Sequence, residues 1–262
     1  MTIRVGVFGA GGRMGTTVCR AVAADPDLDL AVAIDPHHSG LDLRHVTGVD
    51  VDLHILADSS ALPEGSVDVV VDFTVLDAAR KNLAWAAENG VHAVVGTSGF
   101  TADDHAHLRA AFTASNCVVA PNFAIGAVLM MRFAELAAPW FETAEVIELH
   151  HDGKVDAPSG TALLTVARMA AASDAWAADP TRTEAIPGAR GAKGPAGIPV
   201  HSVRLRGVVA HQEVLLGTTG QSLTLRHDSY DRESFMPGVL LAVKQVADHP
   251  GVTVGLDAIL GL

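Results

Sequence analysis

The stretch that decides the fold of this chain is IRVGVFGAGGRMG, residues 3–15. Residues 3–8 are a short apolar run with β-type residues, and we predict that they form a strand. The turn that follows has the spacing G-x-x-G-x-x-G, from Gly9 to Gly15. Glycines between a strand and a helix let backbone N–H groups approach a pyrophosphate. The turn therefore indicates a dinucleotide site, and a tight turn without a ligand is the alternative.

The residues after this turn support the dinucleotide interpretation. TTVCRAVAADP (16–26) has the apolar spacing of a helix, and LDLAVAID (28–35) is a second apolar strand that ends at Asp35. Strand, glycine turn, helix, strand and acid form the pattern of a dinucleotide-binding unit. Asp35 stands where the adenosine ribose would lie, which favours NADH. Arg13 is the nearest cation for a 2′-phosphate and Pro36 supplies none, so strict NADPH specificity is not supported.

Strands and helices alternate through the first half of the chain. We predict strands at 67–74, 91–99 and 116–122 and helices at 78–90 and 101–115, the last with Thr101 as its N-cap. Alternation of this kind is typical of a parallel sheet with helices on both faces. The sequence therefore predicts a Rossmann-like doubly wound parallel sheet over residues 1–121.

The pattern changes after residue 121. We predict an apolar helix at 124–141, a strand at 144–151, a helix at 159–178, a long loop at 181–199 and three antiparallel strands between 200 and 229. Residues 122–235 are thus expected to form a second, α+β domain with an antiparallel or mixed sheet. A helix at 236–247 is predicted to pack back on the first domain, which then includes residues 236–262.

Composition narrows the class of partner. The chain has 262 residues, 49% of them hydrophobic, and a formal net charge of -12. An acidic surface repels phosphate polymers, so we expect no nucleic-acid partner. There is no run of about eighteen uncharged apolar residues and no signal peptide, so a soluble cytoplasmic protein without a membrane partner is predicted. Cys19 and Cys117 lie far apart and outside any C-x-x-C pair, so free thiols are expected.

A second unusual stretch is ELHHDGKVDAPSGTA, residues 148–162. Three interpretations compete: a metal site, an acid–base site for an anionic substrate, or a polar loop in which the serine or threonine only caps a helix. Alternation along a strand would point His150 and His151 apart, which argues against one metal held by both. Lys154 and a helix start at 158–161 favour an anion such as a carboxylate. The segment thus suits a carboxylated substrate that needs a proton.

Several short motifs occur in a family-specific order. They are GAGGRMG, DFT (72–74), GTSGF (96–100), APNFAIG (120–126), the segment 148–162 and R-x-x-F (232–235). Together they resemble the dihydrodipicolinate reductase family nearly from end to end. The resemblance implies that a nicotinamide cofactor gives hydride to a cyclic dicarboxylated imine, with loss of water. It also implies no catalytic metal, and a homotetramer built through the sheet of the second domain.

The resemblance implies roles for individual residues. His150 and Lys154 match the catalytic proton-transfer groups. Substrate-binding positions are matched by His151, Ser159, Gly160 and Thr161. Cofactor contacts are matched by Gly9, Ala10, Gly11, Gly12, Arg13, Met14, Asp35, Phe73, Gly96, Thr97, Ser98, Ala120, Pro121, Asn122 and Phe123. The substrate is then a small dicarboxylate and the cofactor NADH or NADPH, with NADH used at least as well.

Two departures and two alternatives accompany this hypothesis. Ser98 stands where threonine is expected, and Val75 where a basic residue would lie near the cofactor, which weakens the case for NADPH. The alternatives are another nicotinamide-linked dehydrogenase of a small amino-acid precursor and a non-catalytic cofactor-sensing protein. The pair His150 and Lys154 argues against the sensor, since a sensor needs no proton donors.

Overall fold

The computed structural model describes residues 2–63 and 65–262 of the chain. These residues divide into two compact units. The first contains the residues up to Phe123 together with Phe235–Leu262, and the second is Ala124–Ser234. The sequence-based division places its boundaries at 121/122 and 235/236, and the roles that it gives to the two regions stay predictions.

Strands, helices and short 3-10 turns alternate along the described residues. The strands are β1 (Ile3–Phe8), β2 (Leu28–Ile34), β3 (Val69–Asp72), β4 (His92–Val95), β5 (Cys117–Val119), β6 (Thr143–His150), β7 (Ala192–Lys193), β8 (Pro199–Arg204), β9 (Ala210–Thr218), β10 (Gln221–Ser229) and β11 (Val252–Val254). The α-helices are α1 (Arg13–Ala24), α2 (Leu43–Thr47), α3 (Leu76–Glu88), α4 (Ala102–Ala111), α5 (Ile125–Ala137), α6 (Gly160–Ala172) and α7 (Met236–Gln245). The 3-10 turns lie at Ser59–Ala61, Ala138–Trp140, Pro195–Gly197, Arg232–Phe235 and Val246–Asp248.

The sheet of the first unit is parallel throughout, with the order β11-β5-β4-β3-β1-β2. Its central strands carry fully buried valines such as Val7, Val71 and Val94, as expected for strands covered on both faces. The predicted Rossmann-like doubly wound sheet is confirmed. Strand β11 was not predicted, because three residues are too few to show a periodic pattern.

Helix starts in the first unit follow from local sequence. Helix α4 begins after Thr101, whose hydroxyl accepts a hydrogen bond from the Asp104 amide at 3.2 Å. Asp104 in turn accepts from the Thr101 amide at 2.8 Å, which completes a capping box. The predicted N-cap is confirmed. Helix α1 begins at Arg13 and has no such side-chain cap.

The second unit contains a mixed five-stranded sheet with the order β10-β9-β6-β8-β7. Strand β6 is antiparallel to β9 but parallel to β8. The successive strands β8, β9 and β10 alternate in direction, as predicted, but β8 pairs in parallel with β6 and is not a neighbour of β9. The chain between β6 and β8 includes α6, and a crossover of this length returns the chain to the same end of the sheet. The predicted second domain with a mixed sheet is confirmed.

Two predicted boundaries in the second unit are wrong. The helix predicted at 159–178 ends at Ala172, where Ser173 has extended backbone angles. The loop predicted at 181–199 contains strand β7 and the turn Pro195–Gly197. Alanine returns at Ala175, Ala177 and Ala178, beyond Ser173 and Asp174, so composition extended the predicted helix too far. The pairing of β7 with β8 is a contact that local pattern does not show.

Both cysteines are free and fully buried, so the prediction of free thiols is confirmed. Burial raises the pKa of the Cys19 thiol to about 12, which leaves it without reactive thiolate at neutral pH. Among residues 2–63 and 65–262, no helix has the length and apolar character that crossing a membrane requires.

Candidate active site

The glycine turn follows β1 and is closed by backbone contacts. The amides of Gly9 and Ala10 both donate to the Ile34 carbonyl oxygen, at 2.8 and 3.0 Å. Gly9 has a φ of +79°, which favours glycine. A Cβ atom on Gly15 would lie 1.9 Å from the Gly9 carbonyl oxygen. Helix and turn can approach this closely only because residue 15 is glycine.

The turn fits the pyrophosphate of a dinucleotide. Gly12 is the N-cap of α1, and no side chain accepts from the first amides of this helix. These amides and the positive end of the helix dipole are the groups that bind phosphate in proteins. Arg13 and Met14 form the first helical residues, and the Arg13 side chain is exposed beside the turn.

Asp35 stands at the end of β2 beside the same turn. Its carboxylate is buried; Oδ2 accepts from the Gly11 amide at 3.0 Å and Oδ1 from the His37 amide at 2.9 Å. The Nδ1 atom of His38 lies 3.1 Å from Asp35 Oδ1. A Cβ atom on Gly11 would lie 2.2 Å from that Nδ1 atom. The predicted ribose-binding acid thus sits at the turn, and its contact with ribose stays a prediction.

The other predicted cofactor residues follow β3, β4 and β5. A Cβ atom on Gly96 would lie 2.0 Å from the Phe73 ring, so the loops after β3 and β4 are in close contact. The Phe73 ring centroid lies 5.8 Å from that of Phe123. Residues of these loops and of the glycine turn therefore meet at the carboxyl ends of parallel strands, where ligands bind in this class of sheet. Thr97 is buried and Ser98 exposed, and Ala120, Pro121 and Asn122 follow β5.

The sequence reasoning missed Asp72, the last residue of β3. It is fully buried and accepts hydrogen bonds from the Thr74 amide at 2.8 Å and from Asn82 Nδ2 at 2.7 Å. The hydroxyls of Thr74 and Thr97 lie 2.7 and 3.1 Å from Asp72 Oδ1. One carboxylate thus fastens the loops after β3 and β4. The signal that could have revealed it is a charged residue at the end of a run of valines.

In the second unit, His150 ends β6 beside a buried carboxylate. Glu148 is fully buried and accepts from Arg204 Nη1 and Nη2, each at 2.9 Å. Glu148 also contacts Nδ1 of His150. Burial lowers the pKa of His150; Glu148 opposes this in part, and Lys154 and Arg204 add to it. His150 is therefore neutral near pH 7.

Burial also acts on Glu148, where it would raise the pKa. The hydrogen bonds from Arg204, Ser202 and His150 outweigh it, so the pKa of Glu148 lies below its ordinary value. Glu148 is consequently a carboxylate at neutral pH. Alternation along β6 puts Glu148 and His150 on one face of the strand, but sequence reasoning did not find Arg204.

Lys154 lies in the loop after β6. Its Nζ atom donates to both carboxylate oxygens of Asp156 at 2.8 Å, and its side chain is mostly buried. The Lys154 ammonium first, and the charge of Arg204 with it, hold the pKa of Asp156 below its usual range. His151 is exposed, unlike His150. Within residues 2–63 and 65–262 no group of three or more His, Cys, Asp or Glu side chains is placed to hold a metal ion.

The start of α6 combines a cap with open space. Ser159 is the N-cap: its buried hydroxyl accepts from the Ala162 amide at 3.2 Å. The capping interpretation is therefore right for this hydroxyl, and substrate binding by Ser159 stays a prediction. Gly160 is exposed, and a Cβ atom placed on it would meet nothing within 4 Å. Thr161 follows in the first turn of the helix.

The parallel sheet and the glycine turn of the first unit are typical of the class of dinucleotide-binding proteins, and the second unit places a histidine, a lysine and a helix start within residues 148–162. Models of the N-terminus and the C-terminus of dihydrodipicolinate reductase match residues 3–123 and 126–260. The chain belongs to the dihydrodipicolinate reductase family, so the predicted resemblance is confirmed. It is an NAD(P)H-dependent oxidoreductase that acts on a small substrate.

Similar proteins support this assignment over the whole length. The chain is 51% identical over 269 residues to 4-hydroxy-tetrahydrodipicolinate reductase of Nocardia farcinica, covering 100% of both, and 47% identical to that of Corynebacterium urealyticum, covering 99% of both. A dipicolinate-bound dihydrodipicolinate reductase from Paenisporosarcina sp. TG-14 matches with a TM-score of 0.87 and 39% identity, over 99% of this chain and 100% of that one. An amine dehydrogenase from Mycobacterium smegmatis, 15% identical with a TM-score of 0.67 over 98% of this chain and 96% of that one, shares the fold alone.

Proposed function

We propose that this chain reduces 4-hydroxy-tetrahydrodipicolinate to tetrahydrodipicolinate with NAD(P)H, with loss of water. Its full-length relatives carry the name of this reductase. The observation that carries the proposal lies at the end of β6 and in the loop after it. There the His150 imidazole, in contact with Glu148, and the Lys154 ammonium precede the open start of α6. These groups suit a dicarboxylate that must accept a proton. Family membership favours this reaction over the alternatives of another dehydrogenase and a cofactor sensor.

The first unit holds the cofactor in this proposal. The pyrophosphate binds at the free amides of α1, and Asp35 accepts from the ribose hydroxyls. The loops after β3, β4 and β5 complete the site. When bound, the nicotinamide supplies hydride. The residues proposed to contact the whole cofactor are Gly9, Ala10, Gly11, Gly12, Arg13, Met14, Asp35, Phe73, Gly96, Thr97, Ser98, Ala120, Pro121, Asn122 and Phe123.

The second unit binds the substrate and supplies the proton that the reduced substrate needs. The carboxylates of the imine bind to Lys154, to His151 and to the amides of Gly160 and Thr161. Lys154 exchanges its partner Asp156 for a substrate carboxylate or for the atom to be protonated. Lys154 gives a proton to the reduced substrate, and neutral His150 relays a proton from solvent to replace it. Lys154 and His150 thus both serve the protonation of the reduced substrate. No step of this reaction is assigned to a metal.

Cofactor preference follows from the charge near the ribose. We propose that NADH is used at least as well as NADPH, because a 2′-phosphate would meet the negative charge of Asp35. Pro36 and Val75 supply no cation. Arg13, exposed at the start of α1, is the group that would reduce the difference and permit both cofactors.

We propose that four copies of the chain assemble through the face of the second sheet that α5 and α6 do not cover. Val146 and Val214 are fully buried in the core that the sheet forms with α5 and α6. The alternate residues Ile147, Leu149 and Leu215 point to the other face and are partly exposed. A cytoplasmic homotetramer would cover them. Light scattering is expected to give about four times the chain mass of 27.1 kDa, and a monomer would contradict this part.

A single assay tests the reaction. Freshly generated 4-hydroxy-tetrahydrodipicolinate is added to the purified chain with NADH or NADPH, and oxidation of the nicotinamide is followed by absorbance. We expect oxidation that depends on the imine and on the enzyme. Cofactor binding without turnover would favour the sensor. Turnover only with other amino-acid precursors would favour the other dehydrogenase.

A further inference from the structure

Arg204 contacts both of the segments that carry the proposed catalytic groups. Its Nη1 and Nη2 atoms bind the two oxygens of Glu148, which in turn contacts His150 Nδ1. Nη2 also donates to the carbonyl oxygen of Asp156 at 2.6 Å. Asp156 is the residue that pairs with the Lys154 ammonium. One guanidinium thus connects the end of β6 with the loop that carries Lys154.

The parallel pairing of β6 with β8 explains this position. His150 is opposite Arg204 in the register, and Glu148 is opposite Ser202. Both strands end at this point, so the guanidinium lies where the chain leaves β6 for the Lys154 loop. An antiparallel β8 would have brought the opposite end of that strand to His150. The contact depends on the crossover topology.

The Glu148 contact decides which nitrogen of His150 carries a proton. Glu148 is ionised and can only accept hydrogen bonds. Nδ1 of His150 must therefore donate, and in the neutral ring Nε2 keeps its lone pair. Without this contact the two tautomers would exchange, and the ring would have no fixed orientation. Nε2 is thus the atom that can take or relay a proton.

We propose that Arg204 and Glu148 act as a positioning pair, which fixes the tautomer of His150 and the position of the Lys154 loop at the same time. This inference rests on the proposed function. A buried ion pair is weak evidence for a gain in stability, because apolar residues of similar size often replace it without loss. What an apolar pair cannot do is orient an imidazole and hold a loop carbonyl. Neither residue needs to touch substrate or cofactor.

The charged groups acting on His150 come from three elements. They are Glu148 on its own strand, Arg204 on β8 and Lys154 in the loop. On β9 the residue opposite is Ala210, which carries no charge. Since Glu148 raises the pKa of His150 and the two cations lower it, loss of the carboxylate must lower that pKa further.

The test compares Glu148→Gln and Arg204→Lys with Arg206→Lys. Arg206 lies two residues further on, is 91% exposed and pairs with Asp152 at 2.7 Å, so it is the matched control. We expect Glu148→Gln to reduce kcat at least about tenfold and to move the acidic limb of the pH profile of kcat/KM to lower pH. Arg204→Lys is expected to raise the Kd of pyridine-2,6-dicarboxylate and lower kcat. KM for NADH should stay within about twofold in all three.

A second measurement keeps this inference separate from the reaction itself. The His150 imidazole is titrated by NMR in the parent and in Glu148→Gln, with His150→Gln used for assignment. A titration that moves to lower pH supports the pair even if the imine is not a substrate. An unmoved titration, or folded variants with unchanged kcat and dicarboxylate binding, would overturn it. Absence of turnover in the parent would count only against the proposed function.

Discussion

The carboxylate of Asp35 accepts a hydrogen bond from the amide of Gly11, with 3.0 Å between Oδ2 and N. The acid proposed to bind the ribose therefore also fastens the glycine turn that is proposed to bind the pyrophosphate. Its charge is fixed at the site by two backbone amides, from Gly11 and His37. A ligand that brings another negative charge to this point meets a carboxylate that cannot turn away.

This arrangement leads to a prediction about cofactor choice. We expect the kcat/KM for NADH to equal or exceed that for NADPH. A like-charge contact near the surface costs about 1 kcal/mol and is screened by salt, so the preference should be modest and should shrink as salt is added. The measurement compares both cofactors at low and moderate salt. A preference for NADPH of about tenfold or more, which is about 1.4 kcal/mol in the other direction, would contradict it.

The two side chains proposed to transfer the proton can be substituted one at a time. His150→Gln and Lys154→Ala should each reduce kcat by about a hundredfold or more, as expected for lost acid–base groups. Binding of NADH, measured by fluorescence titration, should be unchanged because neither residue belongs to the first unit. The exposed residues His107 and Lys81 supply the controls His107→Gln and Lys81→Ala. Near-normal turnover in either test variant would show that its assignment is wrong.

Substitution of Gly160 can distinguish an effect on stability from an effect on substrate binding. Its Cβ position is open, so Gly160→Ala should leave the free energy of unfolding unchanged within about 1 kcal/mol. The same methyl group would occupy the space where a carboxylate reaches the first amides of α6. We therefore expect weaker binding of pyridine-2,6-dicarboxylate in a calorimetric titration with NADH present. Equal affinity in Gly160→Ala and the parent would exclude this helix start as the anion site.

The fastening of the cofactor loops by Asp72 is testable in the same way. Asp72→Asn keeps the shape but replaces one acceptor oxygen by an NH2 donor, which then faces either the donors of Thr74 and Thr97 or that of Asn82. A buried polar mismatch of this kind costs about 1–3 kcal/mol of unfolding free energy. We also expect a higher KM for NADH. Binding of pyridine-2,6-dicarboxylate to the full chain in the absence of NADH should be unaffected, because its proposed site lies in the second unit. Asp77→Asn, at an exposed carboxylate of α3, is the control, and an unchanged KM for NADH in Asp72→Asn would argue against the loop role.

Half-buried histidines make stability depend on pH. Burial lowers the pKa of His92, His150 and His227 from the ordinary value of 6.5. The unfolded chain then binds protons more readily than the folded chain, so stability must fall as the pH drops below 6.5. We expect a lower Tm at about pH 5.5 than at about pH 7.5, and a smaller drop in His92→Gln and His227→Gln. A Tm that rises on acidification over this range would contradict the sign.

The amino-acid sequence by itself determined the type of fold and the kind of site. The glycine turn could be predicted because its requirement is local: a Cβ atom on Gly15 collides with the Gly9 carbonyl. Valine-rich runs between helical patterns indicated a parallel sheet, since burial of both faces of a strand leaves a continuous apolar run in the sequence. The segment 148–162 likewise carries its histidine, lysine and helix start within fifteen consecutive residues.

Only the tertiary structure decided which side chains support these groups. Asp72 and Thr97 are 25 residues apart and Glu148 and Arg204 are 56 apart, and neither pair leaves a mark in local spacing. Their contacts depend on which strands are neighbours and in what register. Strand β8 lies parallel to β6 because the chain crosses over through α6, and that choice brings Arg204 rather than the start of β8 to His150. Sheet order is set by the packing of the whole unit, so no single segment of sequence contains it.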